Sequence, residues 1–395
     1  MTDSLNHKLY YKIEGTYGTT PTSPDWTPFK HTAINIALTK ATFASDIIES
    51  HHQVADFRHG NKSTAGDVNT ELSFADFDDL LEAGFCGTFA AKATKTATTL
   101  SAAASDNSYN DSGNGFVTAG FEVGDIVAVT GFTGNVANNI TRGVITSVAA
   151  GKIIIGGTDG DVIVDDAAGE SVTIATVTQR LKLGTTRRSF SLMRHFSDLV
   201  GGDKPFHVLV GQEVAKIGLS AKAGEKVTAA FSFIGRDLSS PAETAPSGST
   251  YLSQTSNRVF DAFSGFLKEG GTEVAIVTEF TGNIETGIAA DRFVVGTDLM
   301  NRPILGKFKI SGQVSLYFEN DTHYNKFINA TDSSLILSLD DLDGNNIKIG
   351  VPKFKYTGGA PDVSATGAVM LSMPFEAYYD STTATTVYID STEAA

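Results

Sequence analysis

Residues 44–87 read ASDIIESHHQVADFRHGNKSTAGDVNTELSFADFDDLLEAGFCG, and three kinds of behaviour follow one another along them. Ser45 to Gly66 carries charges of both signs and no sustained apolar period, as a long exposed arm does. From Asp67 the pattern changes: Val68, Thr70 and Leu72 alternate with polar residues, as a half-buried strand requires. Phe74, Phe77, Leu80 and Leu81 then recur at helical spacing. Ser73, with Asp76 three residues on, is the expected N-cap; Asp76, Asp78 and Asp79 suit the positive helix end, and Gly84 offers a stop. Such an arm, leading into a strand and a short helix, suits a protein that reaches across to a neighbour better than it suits an enzyme.

The whole chain of 395 residues has room for two or three domains with adequate cores. Charged residues make up 19% and glycine 39 positions, a β-rich profile rather than a helical one. A formal charge of −15 argues against nucleic-acid binding, which needs clustered Lys and Arg to neutralise phosphates. The single cysteine, Cys86, excludes an internal disulfide framework and reads as a small buried hydrophobe beside Phe85. MTDSLNHKLYYKIEG lacks the basic and apolar regions of a signal peptide, and no apolar run is long enough to span a membrane. Synthesis and folding in a cytoplasm are therefore expected.

Outward from the deciding stretch, Pro21, Pro24 and Pro28 forbid regular helix in a wrapping lead-in that Trp26 and Phe29 are expected to anchor. Ala33 to Phe43 alternates, with Ile34, Ile36 and Leu38 on one face, as a strand feeding the arm. Thr88 to Ser105 is small, polar and of low complexity, and reads as a linker or edge strand. Short strands are expected at Phe116–Phe121, Gly124–Val129, Ile140–Val148, Lys152–Ile155, Asp161–Val164 and Ser171–Val177, separated by Gly/Asn/Asp turns. Residues 90–182 thus form an inserted small β-barrel or sandwich domain.

The two ends of the chain echo each other. GDVNTELSF, from Gly66, finds a counterpart in GQVSLYFEN, from Gly312, and a second short helix follows with Tyr324, Phe327 and Ile328 on one face. SFSL, from Ser189, matches LILSL, from Leu335, and residues 218–237 echo 354–380. The arm Ser45–Gly66 corresponds to Gly282–Gly312. A duplicated β-plus-one-helix module is therefore expected: residues 1–89 plus 183–240 as the first, 241–395 as the second. Only the first copy carries the insertion; the second has Thr331 to Ser334 at that place.

No chemistry-bearing constellation emerges. His51, His52 and His59, with Glu49 and Asp56, lie in a polar loop without rigid metal-ligand spacing. GNKS at Gly60 lacks the upstream glycine of a phosphate loop and has Asn61 before the lysine. In DLDGN at Asp341 the glycine and glutamate of a calcium loop are missing, with Asn346 and Pro352 in their places, so a hairpin turn is expected. No catalytic, cofactor or metal residue is assigned, and no enzyme is expected.

With Glu14-Gly15-Thr16-Tyr17-Gly18-Thr19-Thr20-Pro21 and Trp26, the arm, strand and acidic-aromatic helix resemble the tail tube (major tail) proteins of long-tailed, non-contractile bacteriophages, over roughly residues 8–87. The resemblance implies a β-sandwich flanked by a helix, subunits that close into rings by joining sheets edge to edge, and rings that stack into the tube through which DNA is ejected. It places the protein in the virion tail, made in the host bacterium, with tape measure and tail tip or terminator proteins as partners. Neither a membrane nor specific DNA binding is implied. Asp46, Glu49, Asp56, Arg58 and Lys62 are then the candidates for polar contact between rings. Two modules per chain imply a trimeric ring with pseudo-sixfold symmetry, the alternative being a homohexamer. Rival readings are a β-rich adhesin or carbohydrate-binding protein, which calls for a secretion signal, and a polysaccharide hydrolase, which calls for a carboxylate-lined cleft.

Overall fold

The computed structural model describes residues 3–48, 50–51, 53–156, 163–200, 202–363 and 367–394. Strands take 47% of the described residues and helices 7%. Contacts divide it into two units: Met1–Gly87 with Leu183–Asp341 and Val351–Val387, and Thr88–Lys182 with Leu342–Gly350 and Tyr388–Ala395.

We number along the chain the strands of one extended antiparallel sheet, all of which belong to the first unit except residues 346–350 of the seventh. They are β1 (Ala37–Ala44), β2 (Phe57–Glu71), β3 (Phe206–Lys222), β4 (Thr228–Gly235), β5 (Val277–Glu285), β6 (Lys309–Tyr317), β7 (Asn346–Tyr356), β8 (Pro361–Asp362) and β9 (Met370–Ala377), with helices α1 (Asp78–Phe85) and α2 (Thr322–Ile328). Pairing runs β1–β2–β4–β3–β5–β6–β9–β7, with β8 beside β9. A chain that alternates apolar and polar residues over long strands can bury one sheet face and hydrate the other. Val68, Leu72, Phe231 and Phe233 are buried in the first half, and Val314, Leu316, Met373 and Phe375 in the second.

The same registers recur in both halves. Ala37 faces Ala65 and Thr39 faces Ser63, as Asn283 faces Ser311 and Glu285 faces Lys309. Gly66 faces Phe233 and Val68 faces Phe231, as Gly312 faces Phe375 and Val314 faces Met373. From Val214–Phe233 to Leu219–Ala229 the longer strand gains one residue, and it gains one again from Tyr356–Phe375 to Pro361–Leu371. The halves meet where β3 pairs with β5, from Lys216–Glu285 to Lys222–Glu279.

Helix α1 lies on β3 and also touches β5. It starts later than the sequence suggests, with Phe77 at the N-cap and no side-chain cap. Ser73 instead donates to Asp76, whose carboxylate pairs with Lys30 at 2.5 Å. Gly84 sits inside the last turn, not beyond it, and Cys86 closes the helix in the left-handed region at φ 49°. A Cβ on Gly84 would run into Ile217 and Val214, so its smallness lets helix and sheet close up. Phe77 stacks on Phe231 at 5.8 Å, and Phe29 packs edge-on against Phe77 at 6.0 Å. Trp26 and Phe29 are buried, so the proline-rich lead-in is anchored as its composition suggests.

The second unit has a seven-stranded antiparallel sheet in the order Thr94–Ala97, Val172–Thr176, Ile126–Thr130, Gly143–Ala149, Lys152–Gly156, Ser108–Asp111, Leu100–Ala103. Tyr109, Phe116, Phe121, Phe132, Ile145, Ile153 and Ile174 belong to its core. Of the two readings of the low-complexity stretch, linker or edge strand, the second holds: Thr94–Ala97 and Leu100–Ala103 are the edge strands of this sheet. One expectation changes. Phe116–Ala119 is a helical turn closed by Gly120 at φ 91°, not a strand. The stretch Asp159–Val162 lies outside the described residues. Gln179–Lys182 pairs with Tyr388–Thr392, which pairs with Asn346–Gly350, and Arg180 clasps Asp390 at 2.5 and 2.6 Å. That ladder groups the C-terminal stretch with this unit.

Candidate assembly surfaces

Three surfaces of the first unit lack a partner of the kind their chemistry asks for. The first is the arm. Its sequence reads as loop, but β1 and β2 continue into it as a two-stranded ladder: Thr42 faces His59, Phe43 faces Arg58, Ala44 faces Phe57. Backbone pairing needs no apolar period, so the pattern hid it. Phe43, Ile47, Ile48, Val54 and Phe57 are all exposed on it, Ile48 at 97%.

Of the residues singled out for contact, Asp46 is exposed. Asp56 and Arg58 are exposed and pair with each other at 2.7 Å. Glu49 lies outside the described residues, as does His52. Lys62 is already engaged: its ammonium is 3.1 Å from Asp237 and 3.6 Å from Asp298. Surface pairs such as Asp56–Arg58 contribute roughly 0–1 kcal/mol and are easily exchanged. The apolar residues of the arm, passed over by a reading based on charge, carry more transferable energy.

The second surface is the pair of sheet edges. Among the described residues β1 pairs only with β2, and β8 only with β9. Exposed edges invite pairing with another chain; Pro361 removes one donor and blunts indiscriminate addition.

The third is α2, none of whose residues is buried, with Ile328 59% exposed. It is pinned by Glu269, which accepts from Lys326 at 2.7 Å and from Ser333 at 2.5 Å; His323 Nδ1 lies 2.9 Å away. Burial alone would raise the Glu269 carboxyl, but these donors hold it at about 2.

A second buried carboxylate fastens the segment between β5 and β6. Glu213, 1% exposed, receives Arg302 Nε at 2.6 Å and the Arg187 guanidinium. Burial pushes the Cys86 thiol up to about 11, which keeps it protonated and inert. Among the described residues no cluster of three or more His, Cys, Asp or Glu could hold a metal ion, and no helix is long and apolar enough to cross a membrane.

Free edges, an arm with exposed apolar side chains and an uncovered helix are the surfaces of a subunit that packs against copies of itself. A family model described as phage tail tube protein matches residues 4–377, and no curated protein matches. A β-rich chain matched over nearly its whole length in this way belongs to the phage tail tube proteins, structural components of the bacteriophage tail.

Proposed function

We propose that three copies of this chain close one ring of the tube, each supplying two wall modules, so that true threefold symmetry approximates sixfold. One observation carries the reading: the halves share strand order and register and are joined edge to edge by β3 and β5. The modules are residues 1–89 plus 183–240, and 241–395, with 90–182 as an insertion into the first. A β3–β5 join repeated between chains brings β1 of one copy against β7–β8 of the next. Leu219 faces Gly282 within the chain, so Pro361 meets Ile36 of the neighbour and Asp362 meets Asn35. Edge pairing of this kind closes a ring by using up each free edge.

Rings stack into a tube that conducts DNA, and tape measure and terminator proteins set its length and end. The charge of −15 supports a lumen that repels phosphate rather than binding it. The mass of a single ring, measured by native mass spectrometry on short assemblies, tests the stoichiometry: three chains are expected, and six overturn the two-module reading.

A further inference from the structure

The arm has a counterpart within the chain that is already seated. As many residues separate Thr39 from Ser63 as separate Glu285 from Lys309, so the arm after β1 and the segment after β5 correspond position by position. The segment after β5 lies on the first half. Asp298 accepts from the Lys62 N–H at 2.8 Å, Leu299 bridges to Lys62, Met300 is fully buried, and Arg302 reaches Glu213 at 2.6 Å. Counted from the flanking strands, Gln53 holds the place of Leu299, Val54 that of Met300 and Asp56 that of Arg302.

The seat has a counterpart as well. By the shared registers Phe308 corresponds to Lys62, Lys355 to Glu213 and Tyr379 to Asp237. At that place the second half has an open groove of about 950 Å³, walled by Phe308, Lys309, Glu376 and Tyr379 among others. Lys355 stands directly opposite Glu376 in the sheet and therefore on the same face. At the matching places the charges are exchanged: Arg302 pairs with Glu213, whereas Asp56 and Lys355 are held within the chain by Arg58 and Asp332, surface partners that are readily given up.

We propose that the arm of one copy seats in this groove of the next copy of the same ring, with Val54 buried and Asp56 paired to Lys355. The proposal rests on the edge-to-edge ring above and places the arm's contact within the ring rather than between rings. Two features favour the groove's occupant. Val54 and Phe57 are exposed, at 65% and 60%, although the matching Met300 is fully buried. The ladder of the arm also breaks register between Lys40 and Thr42, a joint at the level where Gly287, at φ 68°, turns the seated segment back onto the sheet.

The test uses the full chain assembled into tubes, with Gln53→Cys and Phe308→Cys introduced together. Leu299 and Lys62, their counterparts, are bridge partners, which places the new thiols at disulfide range; Cys86 is buried and does not compete. Oxidation is expected to give a covalent ladder that stops at the copy number of one ring. A ladder running past that number puts the arm in the next ring and overturns the proposal, as do normal tubes with no cross-link. In parallel, Asp56→Lys or Lys355→Glu alone should abolish tubes and the double variant should restore them; failure of the double to rescue counts against the pair. A wild-type chain that forms no ring overturns the ring and the seat together, whereas intact rings without the cross-link overturn the seat alone.

Discussion

Replacing Glu213 by glutamine tests how the second half is fastened to the first. The carboxylate is 2% exposed and serves two guanidinium groups, Arg187 and Arg302, whose side chains are 20% and 36% exposed. Glutamine keeps the shape and one acceptor oxygen but removes the charge and turns an amide donor towards a cation. Breaking a buried pair by neutralising one partner costs roughly 3–5 kcal/mol. Both arginines retain part of their hydration, so about 3 kcal/mol is expected, or a fall in melting temperature of several degrees. Arg302→Ala should cost less, about 1–2 kcal/mol, because Glu213 keeps Arg187 and only one hydrogen-bonded contact is lost. That variant should also release Gly287–Ile304 to limited proteolysis. Calorimetry of the two single variants and the double gives the coupling, expected at about 1–2 kcal/mol. A Glu213→Gln protein within about 0.5 kcal/mol of wild type would show that the buried charge is not held as argued.

His7, whose Nδ1 lies 2.9 Å from Nε2 of His31, is pushed down to about 4 by burial and then by His31, Arg194, His195 and His207. His31, His195 and His207 are lowered too, mainly by burial. The fold thus prefers the neutral rings, while the unfolded chain takes up protons below about 6.5, so stability should fall as pH drops from about 6.5 towards 4. Melting curves across that range check it, and His7→Gln should flatten the slope. Glu269 works in a lower window: its contribution is complete above 4.5 and lost as pH falls through about 2, so the gap between wild type and Glu269→Gln should close there. Gly84→Val should force α1 off Val214 and Ile217 at a cost of about 1–3 kcal/mol, seen in denaturant unfolding; a neutral result would mean that the helix is not in close contact.

Residues 68–85 were legible because their apolar period is set by burial. Val68, Leu72, Phe77, Leu80 and Leu81 all lie in the core. Helix limits were less so, since the cap position depended on where Asp76 spent its charge, and Lys30 took it. The ladder of the arm went unread because it pairs through backbone, and backbone donors leave no pattern in side chains, whereas Thr88–Ser105 reads as linker or edge strand and its strands do take the two edges of their sheet.

The sequence by itself determined a β-rich chain without catalytic or metal chemistry to point to, an exposed arm, and a kinship between its ends, all properties of composition and local period. Only the tertiary structure decided the register of that kinship, the join of β3 to β5 and the groove that mirrors the seated segment. Those are relations between residues far apart in the chain. By register Asp56 holds the place of Arg302 and Lys355 that of Glu213, and this exchange of charge shows why such relations escape a linear reading: it erases the likeness of residues at matching places.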